Sequence, residues 1–181
     1  MKKIITLLLI ISFSFKTQNS LAQTGLVTPK AMVVSARVEA SKIGSEIMKK
    51  GGNAFDAMVA TELALAVSFP YAGNIGGGGF MVYRKSNGEI GSLDYREKAP
   101  LAASKNMFLD EKGNVIKGKS LETALAIGVP GTIAGVFEVH KKLGSLPIEE
   151  ILKPVIELAE RGENVKKKQE SRKFRIVQFW F

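Results

Sequence analysis

The stretch "GNIGGGGFMVYR" (73–84) constrains this chain most, because four consecutive glycines, Gly76 to Gly79, stand directly in front of an apolar run. A phosphate-binding loop sets its glycines between a strand and a helix, so that the helix N-terminus faces the anion. Here the order is inverted, with a helical pattern before the glycines and the strand-like "FMVYR" after them. No Gly-Lys-Ser/Thr follows, so a nucleotide cradle is set aside. Bare backbone at the start of a strand instead lets another backbone or a small ligand come within contact distance. The plainer alternative is an ordinary flexible loop.

The flanking segments supply the elements. "AMVVSA" (31–36) reads as a short buried strand. From Ala40 the apolar positions Ala40, Ile43, Ile47 and Met48 fall at helical spacing, opposite Glu39, Lys42, Glu46, Lys49 and Lys50. Gly51-Gly52 stops that helix. Asn53 caps a second one, with Asp56 as its capping-box partner three residues on. This second helix, "AFDAMVATELALAVSF", is apolar on nearly every side until Pro70, which predicts a core helix packed on both sides. After the glycines, "FMVYR" and "IGSLDYRE" flank Asn87-Gly88, which predicts a hairpin with a type I′ turn. Residues 99–119 form an irregular excursion with a turn at Lys112-Gly113-Asn114. A third helix is expected over Thr132 to Lys142, closed by Gly144. A fourth runs from near Pro147 to Arg161, where Pro154 bends it or marks a late start. Helix pair, hairpin, excursion, helix pair is an α+β order.

Charge points away from nucleic acid. Of the net +9, residues 1–22 carry +3 and residues 166–181 carry +5, leaving +1 on residues 23–165. A basic binding face belongs on the folded domain, and none is visible there. The start, "MKKIITLLLIISFSFKTQNSLAQ", has the form of a secretory signal peptide. Lys2 and Lys3 precede the apolar stretch Ile4 to Phe15, which is shorter than the ~20 residues of a membrane span, and Ser20-Leu21-Ala22 forms a cleavage site. The expectation is an exported protein, periplasmic or secreted. The chain has no cysteine, which removes disulfides, a thiol nucleophile and Cys-ligated zinc.

Recognisable catalytic sets are missing from the residue pattern. The single histidine, His140, is expected on the solvated side of its helix beside Lys141 and Lys142. It can neither build a metal site alone nor serve a nucleophile elbow that is not there. No cofactor and no metal are expected. The charged residue of interest is Arg96 in "SLDYREKAP", at the end of a strand beside Asp94 and Glu97. It reads either as a surface ion pair or as a bidentate clamp for a carboxylate.

Four segments together carry a resemblance: "MKKGGNAFDAMVATELALAVSFPYAGNIGGGGFMVYR", "LDYREKAP", "AIGVPGTIAGVFEVHKKLGSLP" and "LKPVIELAERG". In order and spacing, over about residues 31–165, they resemble the γ-glutamyltranspeptidase (glutathione hydrolase) family. The resemblance implies an N-terminal-nucleophile hydrolase of layered αββα fold, made as a precursor that cleaves itself into a large and a small subunit. It implies γ-glutamyl transfer from glutathione, or another γ-glutamyl compound, to water or an amino acid. That route passes through an acyl-enzyme on a threonine whose own amine can act as base. It assigns Arg96, in the D-x-R-E motif, to the α-carboxylate of the γ-glutamyl group. It assigns no catalytic residue to this chain: the threonine nucleophile belongs to the small subunit, and Thr123 and Thr132 lie in large-subunit motifs. The expected organisation is a signal peptide (1–22), part of a large-subunit domain (23–165) and a divergent basic, aromatic tail (166–181). That tail reads as a premature end, or as a membrane-touching segment, and the chain alone is expected to be inactive. Rival readings are a related amidase of cephalosporin-acylase type and a non-catalytic exported binding module.

Overall fold

In a computed structural model, residues 25–73 and 75–162 are described. The segments expected to be a signal peptide (1–22) and a basic tail (166–181) lie outside the described residues. The chain divides into two compact units, 1–31 and 32–181. In the first, the described residues 25–31 are irregular and largely exposed, with the Thr28 hydroxyl donating to the Ala31 carbonyl at 2.9 Å. Among the described residues, all regular elements belong to the second.

Helix α1 (Val38–Lys49) buries Ala40, Gly44 and Ile47 on one side and places Glu39 in its first turn and Lys49 in its last, as the helix dipole favours. It stops where Gly51 enters the left-handed region at φ 98 and the Gly52 N–H returns to the Ile47 carbonyl at 3.0 Å. Helix α2 (Ala54–Ser68) starts on the capping box foreseen from Asn53 and Asp56. The Asn53 Oδ1 accepts the N–H groups of Phe55 and Asp56, while Asp56 Oδ2 accepts the Asn53 N–H at 2.8 Å. Among the helices α2 is central, packing against α1, against α3 (Thr132–Leu143) and against α4 (Ile148–Arg161). Ile47, Val59, Val136, Val139, Ile151, Val155 and Leu158 fill the space between them.

Asp56 also ties α2 to the α3–α4 connection. Fully buried, it accepts the Ser145 N–H at 3.0 Å and the Ser145 hydroxyl at 2.5 Å, and the Asn53 amide donates to the Leu143 carbonyl at 2.7 Å. Helix α4 is continuous through Pro154, so the proline marks no late start. Among the described residues the segment 31–36 forms no strand: it pairs with nothing regular, and it alternates between exposed and half-buried positions.

Strands β1 (Phe80–Arg84) and β2 (Ile90–Asp94) pair antiparallel, with Phe80 opposite Asp94 and Arg84 opposite Ile90. The turn departs from the expected type I′. The Gly88 N–H bonds to the Lys85 carbonyl at 3.0 Å, the Lys85 N–H bonds to Glu89 at 2.8 Å, and only Gly88 has positive φ. This is a three-residue loop with glycine in its left-handed position, so Asn87 need not adopt positive φ. One face of the hairpin, Met81, Tyr83 and Leu93, packs toward the helices, with Tyr83 edge-on to Phe55 at 5.4 Å. The other face leaves Phe80, Val82 and Ile90 exposed. The excursion makes the turn expected around Gly113 and returns through a short 3₁₀ turn at Ala124–Ala126.

Candidate functional site

The hairpin ladder continues one residue past β2. The Tyr95 N–H donates to the Gly79 carbonyl at 2.9 Å, which draws the glycine run alongside the "DYRE" segment. Alternation along the extended chain then turns Tyr95 one way and Asp94 and Arg96 the other. Tyr95 is buried. A Cβ on Gly79 would lie 2.8 Å from its ring, a Cβ on Gly135 would overlap the ring, and a Cβ on Gly131 would overlap its carbonyl oxygen. A Cβ on Gly78 would come 2.6 Å from the Arg96 Cα. Gly78 and Gly79 of the run therefore serve close approach, the reading preferred over a flexible loop. The start of α3 joins the same knot, since the N–H groups of Gly131 and Thr132 donate to the Gly77 carbonyl at 2.8 and 3.1 Å.

This seat fixes the backbone on which Arg96 stands. Its guanidinium donates from Nε to Asp94 Oδ1 at 3.2 Å and from Nη2 to Asp94 Oδ2 at 2.8 Å, and its backbone N–H reaches Oδ1 at 3.0 Å. The guanidinium carbon lies 6.0 Å from the centroid of the Phe80 ring, whose residue is the cross-strand partner of Asp94. The hydrogen bonds from the Arg96 side chain and then from its backbone hold the Asp94 carboxyl down at about 2, and the same contact raises the Arg96 pKa. Both side chains are exposed, so the pair adds little to stability. What it supplies is orientation. Both residues border a cavity of about 350 Å³ whose far wall is formed by Val129, Pro130, Ala134 and Glu138.

Arg96 thus stands at the site as an ion pair and as an oriented planar cation at once. Tyr95, Phe80, Gly131 and Gly135 were not singled out from the sequence. The i, i+2 spacing of Asp94 and Arg96 on an extended segment was the one signal available for their pairing. His140 corrects its expectation. It is half-buried, and its Nε2 lies 2.8 Å from the Leu146 carbonyl oxygen. A carbonyl only accepts, so Nε2 carries the proton, and the ring pins the α3–α4 connection instead of facing solvent. Among the described residues, no group of three or more His, Asp or Glu stands close enough to hold a metal ion. The chemistry this arrangement can perform is recognition: an oriented guanidinium beside a cavity suits a carboxylate.

Comparison with known proteins decides the ancestry, because the profile of the family described as Gamma-glutamyltranspeptidase matches residues 40–175. The chain belongs to this family. It is 54% identical over 129 residues to a glutathione hydrolase proenzyme of Pseudomonas aeruginosa, an alignment covering 71% of this chain and 23% of that protein. It superposes on the crystal structure of Helicobacter pylori γ-glutamyltranspeptidase with a TM-score of 0.76 at 47% identity, covering 82% of this chain and 42% of that one. A cephalosporin acylase from Bacillus halodurans is similar at a greater distance, with a TM-score of 0.63 and 25% identity over 87% of this chain and 32% of that one. The chain spans about a quarter of the length of the curated relatives it matches. Its α+β architecture is a part of the N-terminal-nucleophile hydrolase fold of these structures, and among the described residues it contributes one two-stranded sheet to it.

Proposed function

We propose that this chain carries the part of a γ-glutamyltransferase, or glutathione hydrolase, that grips the α-carboxylate of the γ-glutamyl donor, and that Arg96 is the gripping residue. The observation that carries the reading is the Arg96 guanidinium, held in one orientation by Asp94 at the mouth of the cavity. In this reading the γ-glutamyl amide of glutathione is cleaved through an acyl-threonine. The threonine is supplied by a small-subunit partner, and no residue of the described chain is nominated for it. The α-carboxylate docks first, which fixes the scissile amide at a set distance from the nucleophile. The basic, apolar start of the sequence fits an exported protein. The acylase alternative is less well supported, because identity to that enzyme is about half of that to the γ-glutamyl enzymes.

Calorimetric titration of the full chain with glutathione tests the proposal. Arg96→Ala is expected to weaken binding by about 10–100-fold, the range for losing a charged hydrogen-bond pair. The 4-aminobutanoyl analogue, which lacks the α-carboxylate, should bind the wild-type chain as weakly as glutathione binds the variant. Equal binding by wild type and Arg96→Ala would end this reading.

A further inference from the structure

The guanidinium of Arg96 has five N–H donors, and Asp94 takes two of them along one edge, Nε at 3.2 Å and Nη2 at 2.8 Å. Among the described residues no other hydrogen bond engages the remaining three. Two of those, one on Nη1 and one on Nη2, form the end-on fork that suits a second carboxylate. A carboxylate that competed with the ligand would occupy this fork, whereas Asp94 occupies the side edge. Asp94 is itself fixed, because its Oδ1 also accepts the Arg96 backbone N–H at 3.0 Å. The Phe80 ring, directly across the ladder from Asp94, lies beside the cation at 6.0 Å. An exposed arginine side chain otherwise samples many rotamers, and holding it still removes part of the entropy that binding would have to overcome.

We propose that Asp94 is a positioning residue for the ligand: it holds Arg96 by the side edge so that the Nη1–Nη2 fork takes the incoming α-carboxylate end-on, while Asp94 stays in place. This rests on the reading of Arg96 given above. It implies that the bound state contains two carboxylates on one guanidinium, with Asp94 and the ligand on different edges. Lys98, which lines the same cavity and whose charge also lowers Asp94, offsets part of the repulsion between them.

The test uses the full 181-residue chain, isotope-labelled so that arginine Nε–H signals are visible by NMR, with the Arg96 signal assigned by its loss in Arg96→Lys. The wild-type Nε–H is expected to be protected from exchange, to stay protected at saturating glutathione, and to lose that protection in Asp94→Ala. Glutathione affinity is expected to fall on the order of fivefold in Asp94→Ala, with partial recovery in Asp94→Glu. Asp94→Asn serves as an isosteric second variant, and thermal melts confirm that each variant is folded. Release of the Nε–H by ligand would make Asp94 a competitor and overturn the proposal. Binding by Asp94→Ala as tight as wild type, or tighter, would do the same. If Arg96→Ala weakens binding and Asp94→Ala does not, only this inference fails. If the wild-type chain takes no glutathione, or Arg96→Ala binds equally well, the functional reading fails and takes this one with it.

Discussion

The helices and the hairpin of this molecule are held in different ways. Helices α1 to α4 close a core among themselves, and the buried Asp56 carboxylate is matched there by donors from Asn53 and Ser145. The hairpin buries one face on that core and exposes the other, with Phe80 at 72%, Val82 at 76% and Ile90 at 73% of full exposure. Its position is set by backbone approach at the glycines, and the candidate site lies where that approach is tightest. The helical layer thus supplies stability, while the Tyr95 seat supplies geometry.

The largest expected effect lies on the helical side. Asp56→Ala removes the acceptor for the N–H groups of Asn53 and Ser145 and for the Ser145 hydroxyl. It should cost about 3 kcal/mol and lower Tm by roughly 6–12 °C at pH 7. Burial pushes the Asp56 carboxyl up, but the Ser145 hydrogen bonds and then that from Asn53 outweigh it and leave it below 3.8. A depressed carboxyl stabilises fully above its unfolded value and loses that contribution as pH falls through its folded value. The gap between wild type and variant should therefore be full at pH 7 and narrow below pH 3.8. A gap that stays constant through this range would show that the carboxylate charge is not what the site uses.

The next effect separates seat from core. Gly131 sits at φ −114, which alanine tolerates, so Gly131→Ala tests space alone. Its Cβ meets the Tyr95 carbonyl, and overpacking of this kind should cost about 2 kcal/mol and lower Tm by roughly 4–8 °C. Glutathione binding should weaken together with stability. A stable variant with unchanged binding would mean that the seat does not position Arg96. The smallest effect is expected on the open face of the hairpin: Val82→Ser should move Tm by no more than about 2 °C. A larger drop in a melting curve would show that this face is covered in solution.

Much of the helical layer was legible, because its signals are local. Periodicity placed α1, Asn53 and Asp56 marked the start of α2, and Gly144 and Gly162 follow the ends of α3 and α4. The errors lie where distant chain decides. "AMVVSA" has strand composition, but among the described residues no strand pairs with it. The Asn87-Gly88 pair specified a hairpin, yet the register left a three-residue loop in which only glycine needs positive φ. His140 stood next to two lysines in sequence, but the turn at Gly144 carries the Leu146 carbonyl back to its ring. The placement of Arg96 beside Asp94 at the end of the strand was legible. The seat beneath it was not, because Gly131 and Gly135 reach Tyr95 from the start of α3, distant in the chain.

The most direct measurement of the central claim is glutathione affinity in Arg96→Lys, which keeps the charge and removes the planar fork. The account predicts a loss on the order of tenfold, close to that of Arg96→Ala, because the carboxylate is held by paired N–H groups in a fixed orientation. Affinity equal to wild type in the lysine variant would contradict it, and would reduce Arg96 to a point charge at the rim of the cavity.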